Sequence, residues 1–171
     1  MIPLADLNTA TREDFIARLG AIFEHSPWIA ELAYARRPFT TRDALHSAMA
    51  AMMDQAGPER QLALLRAHPE LAGSAAVRGT IAEFSSHEQG ASGLLDCSPE
   101  ELAQMETLNR AYAAKFGFPF IIAVRGLNRT AIVEALARRL GSTPEAERAE
   151  ALRQVARIAA RRLADTVEEH A

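Results

Sequence analysis

Apolar residues recur every three or four positions along most of the chain, and prolines, glycines and capping residues divide this pattern into segments. Such spacing places the apolar side chains on one face of an α-helix. We therefore predict an all-α fold, a compact helical bundle of about seven helices. The predicted helices are residues 12–24, one from Pro27 to before Pro38, residues 42–55, one from Pro58 to His68, one from Pro99 towards Lys115, one that Asn128 or Thr130 begins, and residues 144–168.

One long irregular stretch interrupts the helical pattern after His68. Pro69 disfavours helical backbone at the residue before it, so the fourth helix is predicted to stop there. Residues 73–95 follow with several glycines and no clear periodicity. A segment of that length inside a compact domain is usually functional or disordered. We predict an irregular active-site segment here, with the polar run Ser85-Ser86-His87-Glu88-Gln89 near its centre.

A second segment without helical spacing covers residues 116–124, whose sequence is Phe-Gly-Phe-Pro-Phe-Ile-Ile-Ala-Val. It is too short for another helix, and the sequence offers no strand to pair with it. We therefore predict a buried extended segment. Because buried backbone N–H groups need partners, a bound ligand is one way to supply them.

Charge and composition exclude several classes of protein. The net charge of −3 provides no basic surplus for nucleic acid or an anionic membrane. The single cysteine, Cys97, cannot form an internal disulfide, which fits a reducing compartment. The N-terminus lacks the features of a secretory signal, and no apolar run is long enough to span a membrane. We predict a cytoplasmic protein in which residues 1–171 form a single domain.

His68 and Glu88 are the candidate acid–base residues. An imidazole titrates near neutral pH, which suits proton transfer, although a histidine at a helix end is more often structural. Glu88 is equally consistent with a solvated loop acid, and Ser85, Ser86 and Gln89 either bind a polar ligand or cap a short helix. Histidines and acids between His68 and Glu88 leave a metal site conceivable, but their spacing matches none of the usual ligand patterns.

Among the positively charged residues, Arg162 gives the clearest indication of a binding site. It follows Val155 by seven residues, which places it about 20° from the apolar stripe of the last helix. An arginine on such a stripe needs a buried carboxylate or an anionic ligand, unless its side chain reaches outward to solvent.

Four motifs together resemble one known family. They are Glu24-His25-Ser26-Pro27-Trp28, His68-Pro69-Glu70-Leu71-Ala72-Gly73, Ser85-x-x-Glu88-Gln89 and Phe116-Gly117-Phe118-Pro119-Phe120. In order and separation they resemble 2-oxo-4-hydroxy-4-carboxy-5-ureidoimidazoline (OHCU) decarboxylase, an enzyme of urate breakdown, over nearly the whole chain.

This resemblance implies an all-α homodimer that converts its small-molecule substrate to (S)-allantoin with no cofactor and no metal. It implies that His68, Glu88 and Arg162 are catalytic, with Arg161 as the alternative arginine. The implied substrate contacts are Pro69, Ser85, Ser86, His87, Gln89, Phe120, Ile121, Ile122, Ala123 and Val124.

Three rival functions remain open at the level of sequence. A related helical protein could act on or bind another ureido or purine-derived compound. A metal-dependent hydrolase could use His68 and His87, and would lose activity in chelator. A helical binding module without catalysis would tolerate mutation of both His68 and Glu88.

Overall fold

The computed structural model describes residues 1–71 and 98–169. Within these ranges the chain forms eight α-helices and one short two-stranded parallel sheet, which confirms the all-α prediction. The predicted irregular segment at residues 73–95 lies outside the described residues. The elements are β1 (Ile2–Pro3), α1 (Leu4–Thr9), α2 (Arg12–Leu19), α3 (Pro27–Tyr34), α4 (Arg42–Gln55), α5 (Gly57–Ala67), α6 (Pro99–Phe116), α7 (Arg129–Arg139), α8 (Pro144–Thr166) and β2 (Val167–Glu168).

The chain divides into two compact units. We call Met1–Leu64 together with Val155–Ala171 the terminal unit, and Leu65–Gln154 the central unit. The prediction that residues 1–171 form one domain stays a prediction.

Side-chain caps fix most helix starts where the sequence predicts them. Thr11 and Thr41 accept hydrogen bonds from backbone N–H groups three residues later, at 3.1 and 3.0 Å. Ser98 and Glu101 form a complete capping box at the start of α6. Asn128 caps α7 by accepting the N–H of Ala131 at 2.9 Å, which decides between the two predicted starts of that helix. Gly117 ends α6 in the left-handed conformation, with φ of 77°.

The predicted helix over residues 12–24 is too long, since α2 ends at Leu19. A Cβ on Gly20 would lie 2.7 Å from the carbonyl oxygen of Ile16 and 3.1 Å from the Cβ of Pro27. Gly20 thus permits a close approach of the start of α3. Ile22 and Phe23 are buried, but they lie on bends after the helix rather than on the helix itself.

The large apolar residues of α3 do not mark its buried face. Helical spacing puts Trp28, Leu32 and Ala35 on one side, yet Leu32 is 42% exposed. The buried residues are instead Ile29, Ala30 and Ala33. Alanines allow close packing, and α3 packs against both α2 and α4. Hydrophobicity alone does not distinguish these two faces.

The two ends of the chain form structure beyond the predicted helices. Leu4–Thr9 is a helix, with Leu4 and Leu7 buried. The last helix ends at Thr166, and Val167–Glu168 pairs in parallel with Ile2–Pro3. This pairing joins residues from opposite ends of the sequence, so no local pattern predicts it.

Candidate active site

His68 lies immediately after α5 in the central unit, where the sequence predicts the helix to end. Its side chain is buried, with 8% exposure, and its backbone N–H donates to the carbonyl of Leu65 at 3.3 Å. Pro69 is half-buried. Asn109 on α6 donates its amide hydrogen to the carbonyl of Leu71 at 2.8 Å. The backbone that follows His68 is therefore attached to α6.

Glu70 lies two residues after His68 and lines an open cleft of about 500 Å³ together with Glu106 and Arg110. Burial raises the pKa of the Glu70 carboxyl above its usual value. A hydrogen bond with Asn109 lowers this pKa, and the negative charge of Glu106 raises it. The net effect is an acid that holds its proton to higher pH than a solvated glutamate.

An aromatic cluster supports the segment at residues 116–124. The ring of Tyr112 on α6 lies 4.7 Å from that of Phe116, 5.9 Å from that of Phe118 and 5.3 Å from that of Phe120, measured between centroids. Residues 119–124 form neither helix nor strand. Aromatic packing therefore replaces a strand partner in holding this segment.

A buried ion pair attaches the same segment to α7 and α8. Glu147, only 1% exposed, accepts hydrogen bonds from the Tyr112 hydroxyl and from Nε of Arg139, the latter at 2.8 Å. Nη1 of Arg139 donates to the carbonyl of Ile121 at 2.8 Å, and its guanidinium lies over the ring of Phe120. Burial, and secondarily the bond to Glu147, raise the pKa of the Tyr112 phenol, which therefore stays a neutral donor.

Gln154 on α8 supplies a further attachment. Its Oε1 accepts the N–H of Ala123 at 3.0 Å, and its Nε2 donates to Glu150 at 2.6 Å. Burial tends to raise the pKa of Glu150, but hydrogen bonds from Gln154 and Arg153 outweigh it and lower that pKa. A bound ligand was one possible source of acceptors for the N–H groups of this segment, but for Ala123 the acceptor is the side chain of Gln154.

We expect Gln154→Leu to destabilise the protein by about 1–3 kcal/mol, because it leaves the N–H of Ala123 without its acceptor. Urea denaturation followed by circular dichroism measures this change in the free energy of unfolding. The matched control is Arg153→Ala, which removes an exposed partner of the same Glu150 and should cost under about 1 kcal/mol. Equal losses in the two variants would contradict the assignment of Gln154.

Arg162 lies in the terminal unit and is 2% exposed, as its angle on the helix predicts. Its Nη1 lies 2.9 Å from Oε2 of Glu24, a residue that is also buried. Arg161, the alternative arginine, is exposed. Burial therefore favours Arg162 as the residue singled out by the sequence.

The predicted site residues fall into three groups. His68, Pro69 and residues 120–124 belong to the central unit, and Arg162 belongs to the terminal unit. The predicted residues outside the described ranges are Ser85, Ser86, His87, Glu88 and Gln89.

Sequence reasoning missed Arg139, Glu147 and Gln154. Arg139 follows the buried Ile132 by seven residues, the same separation that places Arg162 beside Val155. A separation of seven residues is about 20° on a helix, so the same reasoning predicts that Arg139 points inward on α7. Glu147 and Gln154 gave a weaker signal, because polar residues on a long helix are usually solvated.

Residues 1–71 and 98–169 contain no group of three histidine, cysteine, aspartate or glutamate side chains placed to hold a metal ion. No helix in these ranges combines the length and the apolar character needed to cross a bilayer.

The family model and the similar proteins described below all indicate the same family. The model of the OHCU decarboxylase family matches residues 8–164. The OHCU decarboxylase of Haloferax volcanii is 38% identical over 164 residues, which cover 96% of this chain and 95% of the relative. The uric acid degradation bifunctional protein PucL of Bacillus subtilis is 40% identical over 169 residues, which cover 99% of this chain but only 33% of PucL.

Solved structures agree with these sequence matches. The crystal structure of an (S)-allantoin synthase superposes with a TM-score of 0.77 at 30% identity, covering 98% of this chain and 54% of that one. An OHCU decarboxylase crystallised in the presence of (S)-allantoin gives a TM-score of 0.67 at 20% identity over 91% of this chain and 97% of that one, and so supports the fold alone. Since the family model spans residues 8–164 and a relative of matching length is 38% identical, this chain belongs to the OHCU decarboxylase family.

Proposed function

We propose that this chain is a carboxy-lyase that converts OHCU to (S)-allantoin in urate breakdown without a metal or organic cofactor. The observation that carries the proposal is the family match over residues 8–164. The burial of His68 directly after α5 supports it, because this is the histidine of the matching motif.

The chemistry suits ordinary side chains. The bond between the hydroxyl-bearing ring carbon and its carboxylate breaks, CO2 leaves, and the electron pair passes into the adjacent ring imine and the carbonyl conjugated with it. The hydroxyl then loses its proton and becomes the ring carbonyl, while the imine nitrogen and the neighbouring ureido-bearing carbon each take up a proton. The protein therefore needs to hold the ring, stabilise the developing charge and deliver the proton to one face of the ureido-bearing carbon. Delivery to a single face yields a single enantiomer.

His68 is the proposed proton donor and also orients the substrate. A buried position favours this role, because exclusion of water limits protonation from the wrong face. Glu88 is proposed to bind the hydroxyl or ureido hydrogens and to disfavour the nearby substrate carboxylate through like charge.

Arg162 is proposed to hold ring oxygens as negative charge develops on them, with backbone N–H groups of the segment at residues 120–124. The hydrogen bond between Ala123 and Gln154 leaves Ile121 and Ile122 as the better candidates for this backbone role. Substrate contacts are proposed for Pro69, Ser85, Ser86, His87, Gln89, Phe120, Ile121, Ile122, Ala123 and Val124.

The functional assay is a circular-dichroism time course on OHCU generated fresh from urate by uricase and hydroxyisourate hydrolase. We expect the chain to produce the signal of (S)-allantoin rapidly, whereas the reaction without it should give racemic allantoin slowly. Prior dialysis against chelator should leave the rate unchanged. Slow racemic product in both reactions would contradict the function, and loss of activity in chelator would favour the hydrolase alternative.

A homodimer and a cytoplasmic location are also part of this proposal. The resemblance to the family supports the dimer, and the single cysteine fits a reducing compartment. Size-exclusion chromatography with light scattering should give twice the mass of the 18.6 kDa chain. A mass of one chain at micromolar concentration would contradict the dimer.

A further inference from the structure

The motif Glu24-His25-Ser26-Pro27-Trp28 has no role in the proposed reaction, although it is one of the four motifs of the resemblance. The structure places Glu24, His25 and Ser26 between α2 and α3, and Pro27 and Trp28 in the first turn of α3. Glu24 is only 3% exposed. A carboxylate rarely occupies such a position unless it is paired.

Local backbone structure directs Glu24 inward. His25 adopts the left-handed conformation, with φ of 47°, and its own side chain is exposed. The N–H of Ser26 donates to the carbonyl of Phe23 at 3.0 Å, and the carbonyl of Ser26 accepts the N–H of Ile29 at 3.1 Å. These bonds fix the turn on both sides of His25, so Glu24 projects into the terminal unit from a rigid backbone.

Arg162 is one partner of Glu24. Nη1 of Arg162 donates to Oε2 of Glu24 at 2.9 Å and lies 3.4 Å from the carbonyl oxygen of Ile22. The same short turn therefore provides two acceptors for one guanidinium nitrogen. His25 Nε2 lies 3.8 Å from the other carboxylate oxygen of Glu24.

We propose that Glu24 is a positioning residue that fixes the guanidinium of Arg162 in the orientation that the reaction requires. This inference rests on the proposed function, in which Arg162 holds ring oxygens. An arginine side chain has several rotatable bonds. A carboxylate carries a charge and two acceptor oxygens, so it holds the guanidinium in one orientation far better than a neutral amide does. Glu24 acts through Arg162, so it need not contact the substrate.

The first test is the kinetics of Glu24→Gln, which keeps the shape of the side chain and removes its charge. We expect kcat to fall by about 10²-fold, as for a displaced catalytic group, with KM changed by less than about threefold. The matched control is Glu31→Gln, which breaks the exposed pair between Glu31 and Arg12 and should leave both constants unchanged. A kcat of Glu24→Gln equal to that of wild type would overturn the inference.

The second test separates positioning from folding and uses methylguanidinium as the probe. In Arg162→Ala, millimolar methylguanidinium should restore part of kcat and raise the melting temperature, because Glu24 holds the added cation. In Arg162→Ala/Glu24→Gln it should do neither. Equal rescue in both variants, or rescue in neither, would overturn the inference. Wild type that yields no (S)-allantoin would instead contradict the proposed function, while the melting temperatures still report whether Glu24 holds a guanidinium.

Discussion

Replacing His68 by asparagine is expected to lower kcat by about 10²–10⁴-fold, the usual contribution of a positioned general acid. Asparagine keeps a polar side chain of similar size, but it has no proton to donate near neutral pH. His68 is buried at the end of α5, where its backbone N–H is bonded to Leu65. The substitution keeps this backbone bond. The measurement is the initial rate of (S)-allantoin formation by circular dichroism at saturating substrate.

A second histidine provides the control for this prediction. Nε2 of His46 on α4 lies 2.8 Å from the carbonyl oxygen of Ala156, a purely structural contact within the terminal unit. His46→Asn should cost about 1 kcal/mol of stability through the lost hydrogen bond and leave kcat unchanged. If His68→Asn behaved in the same way, His68 would be structural and the proton would come from another group.

The largest expected loss of stability is that of Glu147→Ala. Removing this carboxylate leaves the guanidinium of Arg139 buried without its charge partner and removes the acceptor of the Tyr112 hydroxyl. Breaking a buried ion pair by deleting one partner costs about 3–5 kcal/mol. At roughly 2–4 °C per kcal/mol for a chain of this length, the melting temperature should fall by about 6–20 °C.

Two controls separate the effect of the buried charge from that of lost packing. Arg139→Met/Glu147→Gln removes both charges, so it should be more stable than Glu147→Ala alone. Glu31→Ala breaks an exposed ion pair and should cost under about 1 kcal/mol. Differential scanning calorimetry measures all three melting temperatures. A Glu147→Ala protein that melts within 2 °C of wild type would show that Arg139 finds another partner at little cost.

Local signals in the sequence predicted most of the helix starts. Thr41, Ser98 and Asn128 cap helices through side chains that bond N–H groups three residues away, so the whole interaction lies within four consecutive residues. The predicted helix over residues 42–55 begins where α4 begins for this reason, and its end also matches that of α4. Where the capping interaction is short-range and the apolar spacing is regular, a helix can be predicted without knowing which distant residues it contacts.

The sequence predicted that the side chain of Arg162 points inward, but it did not predict which face of α3 is buried. Arg162 lies on a long helix whose apolar stripe repeats several times, so its angle is well defined. The helix α3 has only eight residues and is apolar on more than one side, which left its buried face ambiguous. Packing against α2 and α4 selected Ile29, Ala30 and Ala33.

The sequence alone determined the all-α class, the capped helix starts, the end of α5 just before His68 and the motifs that identify the family, because each depends on residues close together in the chain. Only the tertiary structure decided that Glu24 pairs with Arg162, that Arg139 and Gln154 attach the segment at residues 120–124, and that the chain ends pair as strands. Glu24 and Arg162 are separated by 138 positions. Burial forces each such polar group to find a partner, but the pattern around a residue states only that a partner is needed, and the packed fold determines which one it meets.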